Sequence, residues 1–473
     1  MKPNDILREF VKYKSQLSPF HEQMRKNEEL FKQVQGSPFL QNAMWTKHAD
    51  AMDNFPAATF LPTHENARKS ASLLCKVFPI MLEQMDFEQT YSDFWWAKLK
   101  HGTACMGTFF DGEQVVIKNI DMKRLYFNTQ VNSIEQSPFV FYVSVVQRGP
   151  LEKKYGPVSD SLQVSSLFEQ YGLSEGSELT CVLDCYYKKG GRLQMKKLWG
   201  DKIIFDSEKT PRCKEGMYPH GQYPFVLDVL IPAAGTPLGY GLTHLVHPMQ
   251  QYIDKLDRLV LENAAVAGKQ RYLVREGSGV DINALSDLDV NFIPCDLSTE
   301  DNAIRPLQAN SLPGFIMNHR NSKIAELKDI SGNRDFTTGG VMGGITAYSA
   351  IVALQEAGNK LSRDMISGSY RTFKKVTAQA IQLLCGCDTK PRVYYIDDTF
   401  VAFKGADILP HIDVRIIPQK KSPFTVAAHN QLVLDLYKAG GFAPERQEQT
   451  ALAISSMYLE GKEELLSKLS KEG

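Results

Sequence analysis

The sequence has no long hydrophobic run, no excess of either charge and no low-complexity stretch. No segment approaches the ~20 apolar residues that a membrane-spanning helix needs. The longest β-rich run, Phe139 to Val146, is interrupted by polar residues and reads as a strand. The start, Met1-Lys2-Pro3-Asn4-Asp5, has no apolar stretch behind it and does not read as a secretory signal. These absences predict no membrane partner, and a protein of the cytoplasm or of a particle assembled there. No repeat of fixed period stands out. Fifty-four Lys and Arg balance fifty-four Asp and Glu. That balance argues against a protein that grips nucleic acid statically, which carries a basic excess. It leaves room for a protein along which a duplex slides, because each neutralised phosphate adds affinity and many would pin a moving duplex.

Cysteine is sparse and scattered. Cys75, Cys105, Cys181, Cys185, Cys213, Cys295, Cys385 and Cys387 lie within apolar patterns and read as small, reduced, packed side chains. The pairs Cys181/Cys185 and Cys385/Cys387 have the wrong spacing for a zinc knuckle, and no histidine pair sits beside them. No metal is expected.

Enzyme signatures are missing too. Gly339-Gly340-Val341-Met342-Gly343-Gly344 resembles a phosphate cradle on the surface, but it lacks the Gly-Lys-Ser/Thr ending and follows a helix rather than a strand. His21-Glu22 and His64-Glu65 begin like zinc-protease motifs, yet neither has the second histidine. There is no nucleophile elbow. Asp397-Asp398 offers paired carboxylates for metal-assisted chemistry, but between Tyr395 and Phe400 it reads as a turn joining two strands. Trp95-Trp96 offers stacking surfaces for bases, whereas on a helix such residues usually serve core and interface. No cofactor is implied.

The length suffices for two or three domains with a sizeable core. Glu22 to Val34 is charged and helical. Thr63 has the chemistry to cap a helix running through Glu65-Asn66-Ala67-Arg68 toward Leu82. A second helix is predicted from Phe87 to His101. Cys105 to Phe110 and Gln114 to Ile117 flank Asp111-Gly112, a hairpin signal. Strands follow at Phe139–Val146, Thr180–Tyr187, Arg192–Leu198 and Ile203–Phe205, the last three joined by Gly turns. This block is α+β.

Gly239-Tyr240-Gly241 then breaks the chain. Pro248 fits the first turn of a helix, where its missing N–H costs little. Leu245, Met249, Tyr252, Leu256, Leu259, Asn263 and Val266 alternate spacings of four and three, the mark of one helix face. Gly268 can end that helix. Residues 269–312 form a small acidic insert with predicted strands at Tyr272–Val274 and Val290–Ile293. A second helix runs from Pro313 to Ile330 and stops at Ser331-Gly332-Asn333. After the glycine-rich loop, Thr346 has the chemistry to cap a long helix. Its face includes Ala347, Ile351, Leu354, Gly358, Leu361, Met365 and Gly368, and Gly386 can terminate it. Arg392–Tyr395, Phe400–Phe403 and Asp413–Ile417 read as strands. After Pro418 the chain is amphipathic and helical.

The order of these elements resembles the portal protein family of tailed bacteriophages, the head-to-tail connectors, across nearly the whole chain. Three blocks carry the likeness. The first is Tyr91-Ser92-Asp93-Phe94-Trp95-Trp96 with Lys98 and His101-Gly102-Thr103. The second is Gly239-Tyr240-Gly241 leading into Gln250-Gln251-Tyr252-Ile253-Asp254-Lys255-Leu256. The third is Thr346-Ala347-Tyr348-Ser349-Ala350-Ile351 with Leu354-Gln355-Glu356-Ala357-Gly358. Each is only moderately specific alone; their order is what persuades.

The resemblance implies a portal-like α+β fold. Residues 1–242 would be the N-terminal part of the wing, 243–268 the first stem helix, 269–312 the clip and 313–330 the second stem helix. Residues 331–345 would be the tunnel loop, 346–385 the long wing helix, 386–418 the wing strands and 419–473 a helical crown. It also implies a homo-oligomeric ring, usually of twelve subunits, at a capsid vertex of the virion, assembled in the host cytoplasm. Double-stranded DNA would pass through the channel. The terminase large subunit, head-tail adaptors, scaffold and the major capsid protein would be partners.

Thr338, Gly339, Gly340, Val341, Met342, Gly343 and Gly344 would face the DNA with little charge. Glu276, Asp281, Asp287 and Asp289 would give the clip an acidic face. No enzyme activity is expected, because no energy source is visible and ATP hydrolysis would come from the terminase. Two other readings remain open at this point: a nucleic-acid-processing enzyme such as a divergent metal-dependent nuclease, and another head-tail ring protein.

Overall fold

The first 32 residues show how far an apolar stripe governs this chain. In the computed structural model, Pro3–Lys32 is one helix, α1, that buries Ile6, Leu7, Phe10, Tyr13, Leu17, His21 and Met24 at spacings of one, three and four. The sequence reading began this helix at Glu22. Pro19 obscured its continuity, since an interior proline removes one ladder hydrogen bond. Tertiary packing outweighs that loss: Phe10 meets Tyr126 edge-on at 5.0 Å and Phe141 at 5.5 Å. The structure describes residues 2–32, 36–157, 178–213, 216–267, 271–274, 304–307, 312–333, 360–396, 399–409, 411–419, 430–431, 433–435, 438 and 447–457.

After α1 come α2 (Phe39–Asp53) and β1 (Pro56–Pro62). A single 3-10 turn at Glu65–Ala67 leads into α3 (Arg68–Gln84). Thr63 does not cap this run. The N-cap of the 3-10 turn is His64 and that of α3 is Ala67, neither with a side-chain cap, while the Thr63 amide donates to the carbonyl of His411. The helix α4 spans Phe87–His101, as its apolar period predicts. Then β2 (Thr103–Phe110) and β3 (Val115–Ile120) pair antiparallel across the Asp111-Gly112 turn. The Asp111 carboxylate accepts the amides of Glu113 and Gln114 at 2.8 Å each, which fixes the turn.

Next are β4 (Leu125–Phe127), β5 (Phe139–Gln147), α5 (Arg148–Tyr155), β6 (Leu179–Lys189), β7 (Arg192–Trp199) and β8 (Lys202–Asp206). The five strands form one antiparallel sheet in the order β4-β5-β6-β7-β8, the predicted meander enlarged by β4 at one edge. Thr180 to Tyr187 are all buried, so β6 is covered on both faces. β9 (Phe225–Val229) joins β2 and β3 in a three-stranded sheet, and the short β10 (Ile231–Pro232) and β11 (Gly239–Tyr240) pair with each other.

The chain divides into two compact units. One holds Met1–Lys32, Gln41–His244 and Gly332–Gly473; the other holds Gln33–Leu40 and Leu245–Ser331. The second unit is built on α6 (Leu242–Ala267), whose first three residues belong to the larger unit. Next are β12 (Arg271–Val274), β13 (Ile304–Leu307) and α7 (Gly314–Ser331). Because α6 starts at Leu242, Pro248 lies inside it rather than in its first turn. β12 pairs antiparallel with β13, a strand that Pro306 had hidden; Tyr272 stands opposite Pro306. The predicted strand Val290–Ile293 lies outside the described residues. Gly332, with φ of +70°, follows the end of α7, the left-handed position that glycine takes without strain.

The larger unit closes with α8 (Lys360–Cys387), β14 (Pro391–Ile396), β15 (Thr399–Lys404), β16 (Ile412–Pro418) and α9 (Gln447–Ser456). The helix α8 runs one residue past Gly386, which abuts Pro219 instead of ending it. The predicted start of that helix at Thr346 lies outside the described residues, as does most of the C-terminal helical region. β14 and β15 form a hairpin. β16 pairs with β1 from the opposite end of the sequence, Phe60 opposite Val414. Proline at both ends of β1 had masked it.

Candidate functional site

In the smaller unit α6 presents two different faces. Val246, Gln250 and Ile253 are buried. On the face marked out by spacings of four and three, Leu245 is 43% exposed, Tyr252 46% and Leu259 50%, while Met249, Leu256 and Asn263 are half-buried. A helix with one apolar or neutral face buried in its own chain and a second left open has room for another surface. Gln250 fixes the buried side. Its amide nitrogen donates to the Ser37 carbonyl and to Asp254 at 2.8 Å each, and its oxygen accepts the Leu40 amide at 3.1 Å. Two bridges tie α6 to α7. Arg320 is paired with both oxygens of Asp257, and Tyr252 meets the ring of His319 edge-on at 5.6 Å. The α7 surface is apolar in places too, with Phe315 and Met317 exposed.

The larger unit holds its distinctive chemistry inside. On α4 the buried positions Phe87, Tyr91, Phe94, Trp95 and Leu99 define a face, and Lys98 falls on it, 1% exposed. Lys98 Nζ donates to Asp228 Oδ2 at 2.8 Å, Ser369 Oγ at 2.9 Å and the Met365 carbonyl at 3.1 Å. The Ser369 hydroxyl donates to the same Asp228 oxygen at 2.7 Å. The ammonium also lies 4.7 Å from the Trp95 ring. One charge pair thereby joins α4, β9 and α8. Burial lowers the pKa of Lys98, and the Asp228 carboxylate opposes that shift. A second node repeats the pattern seven residues earlier on α8. Lys47, on the buried face of α2 with Leu40, Ala43, Met44 and Ala51, donates to Ser362 Oγ at 2.9 Å; Ser362 donates to Asp50 at 2.6 Å.

Two of the three blocks that carry the family resemblance meet here. Gly102, with φ of +86°, lies so close to Tyr240 and Gly241 that a Cβ would stand 2.1 Å from the Tyr240 carbonyl carbon. The Gly239 amide donates to Thr103 Oγ1 at 2.9 Å. Glycine is required on both sides of that crossing. The third block, residues 346–358, lies outside the described residues. So do the predicted tunnel-loop residues Thr338, Gly339, Gly340, Val341, Met342, Gly343 and Gly344. The clip acids Glu276, Asp281, Asp287 and Asp289, and the Asp397-Asp398 pair, also lie outside them.

The remaining candidates are structural. Trp95 is buried, and Trp96 stacks on His48 at 4.6 Å. His21 and His101 are buried, and the cost of burying their charge lowers each pKa to about 4. Burial also raises the Cys105 and Cys185 thiols, so the reactive thiolate is disfavoured, and no disulfide joins the described cysteines. Among the described residues no group of three or more His, Cys, Asp or Glu is arranged to hold a metal ion, and no helix is long and apolar enough to cross a membrane.

The sequence reading missed the burial of Lys47 and Lys98. The signal was present, since each lysine stands where the apolar period of its helix calls for a nonpolar residue. No known family model and no curated protein sequence matches the chain.

Proposed function

We propose that this chain is the subunit of a ring-shaped channel for double-stranded DNA, a portal protein of the tailed-phage kind. The observation that carries the reading is the open seam of α6, in a unit of two helices joined through a small strand pair. A closed ring needs heterologous interfaces, so each subunit must offer a neighbour two unlike surfaces. A helix with one face fixed to its own chain and a heptad stripe left open is suited to one of them. The order of elements supports the same reading. A mixed block of helix and sheet precedes the helical unit, and a long helix and three further strands follow it.

In this reading the subunit does no chemistry on DNA. The glycine-rich loop at 338–344 borders the duplex with backbone and apolar groups. The acids Glu276, Asp281, Asp287 and Asp289 repel phosphate and keep the duplex centred. The terminase large subunit supplies ATP hydrolysis, and adaptors replace it after packaging. Scaffold and major capsid protein hold the ring at its vertex. Reversing the four clip acids to Lys should slow packaging; an unchanged rate would remove the centring role.

Negative-stain electron microscopy and mass photometry of the protein co-expressed with its scaffold test the whole reading. The expected particle is a ring with a central hole and a mass near twelve subunits. A compact dimer without a hole would overturn it.

A further inference from the structure

The helix α8 is gripped twice by the same device. In each grip a buried lysine from another helix donates to a serine of α8, that serine donates to a carboxylate, and the lysine also approaches a backbone carbonyl. The outer grip is Lys47, Ser362 and Asp50, with the Gly332 carbonyl at 3.4 Å from Nζ. The inner grip is Lys98, Ser369 and Asp228, with the Met365 carbonyl. Ser362 and Ser369 are seven positions apart, two helical turns on one face, or about 10 Å along the axis.

The two grips are unequal. The inner triangle is closed, with Lys98 and Asp228 at 2.8 Å and their side chains 1% and 4% exposed. The outer triangle is open on one side: Lys47 and Asp50 stand 3.8 Å apart, and the Asp50 side chain is 31% exposed. Water reaches the outer carboxylate and weakens its attraction for the ammonium; the inner pair is shielded from it. From Lys360 to Asp364, Ser362 is the only buried position among five.

Gly368 stands at the inner grip, between Met365 and Ser369. A Cβ there would meet its nearest atom, Lys98 Nζ, at 3.5 Å, an ordinary contact. Packing therefore does not demand glycine at 368, and alanine would be the better helix former. Glycine leaves the backbone loose four residues past the turn that the outer grip alone holds.

We propose that the first turn of α8, Lys360 to Asp364, forms a releasable segment that comes away when the Lys47–Ser362–Asp50 grip lets go, while the Lys98–Ser369–Asp228 grip, which also holds the Met365 carbonyl, keeps the rest of the helix in place. This goes beyond the channel reading and stands or falls without it.

Hydrogen exchange followed by mass spectrometry on the full chain tests it, comparing amides 364–368 with amides 373–387. Lys47→Met should raise exchange at 364–368 by about tenfold or more, the factor equivalent to losing one hydrogen bond to a charged group, and leave 373–387 within about twofold. Ser362→Ala, a smaller change, should do the same to a lesser degree. Gly368→Ala should act in the opposite direction and slow exchange at 364–368. Lys98→Met should raise exchange in both segments. Equal acceleration across 364–387 in Lys47→Met, or no change at 364–368 in both outer-grip variants, would overturn the proposal. So would faster exchange in Gly368→Ala.

Discussion

The helices of the two compact units break the apolar pattern in opposite directions. In the larger unit, α2 and α4 place a lysine on a buried face, and the chain satisfies it with a serine, a carboxylate and a carbonyl. In the smaller unit, α6 places Leu245, Tyr252 and Leu259 at heptad spacing, and the chain leaves Leu245 and Leu259 open while Tyr252 reaches His319 of α7. A period of three and four thus finds a helix and its faces, but the neighbours decide which face is covered. A buried lysine marks a position whose partners lie far away in sequence, such as Asp228 for Lys98. An open leucine stripe marks a position that this chain does not cover.

The comparison breaks most sharply at Lys98. Lys98→Met leaves Asp228 buried without its ammonium and should cost about 3–5 kcal/mol, read from urea unfolding followed by circular dichroism. Replacing Lys98 by Met and Asp228 by Leu together should recover much of that loss, because no unpaired charge then remains inside. If the double variant is as unstable as the single one, the node acts through shape rather than charge.

The next largest effect is set by pH. His21 and His101 have folded pKa values lowered to about 4 from an ordinary 6.5. A depressed folded pKa gives stability that is complete above about pH 6.5 and is lost as pH falls toward 4. Asp184 tilts the other way. Burial raises its pKa to about 6, so its share of stability is greatest near pH 4 and declines as pH rises through 6. Up to a few kcal/mol should separate pH 7 from pH 4.5. The paired change His21→Gln and His101→Gln should flatten the urea midpoint across that interval, because His220, which burial also lowers to about 4, then offsets the opposite tilt of Asp184. An unchanged slope would show that other groups carry it.

The smallest effect on stability belongs to the seam. Leu245→Glu with Leu259→Glu should move the unfolding free energy by no more than about 0.5 kcal/mol, since both side chains already face water. Stability loss of several kcal/mol would mean that the stripe is packed within the chain after all.

Much of the larger unit was legible in the sequence. Phe87–His101, the hairpin at Asp111-Gly112 and the strand run from Phe139 to Phe205 follow from apolar period and turn residues. What escaped had physical reasons. Pro19 hid the first half of α1, and flanking prolines hid β1, whose partner β16 lies some 350 positions away. Tyr272 and Pro306 form a pair that no local pattern announces. The site was less legible than the fold. Lys98 was noticed as part of a family block, but its burial depends on Asp228 and Ser369, which only the fold brings to it.

The central claim is that the α6 seam is completed by further copies of the chain arranged in a ring. The mass of the wild-type protein and of the Leu245→Glu/Leu259→Glu variant, each co-expressed with scaffold and measured side by side by mass photometry, tests it directly. The account predicts rings near twelve subunits for the wild type, and single chains with an unchanged circular dichroism spectrum for the variant. Rings of the same mass in both, or no ring in either, would contradict it.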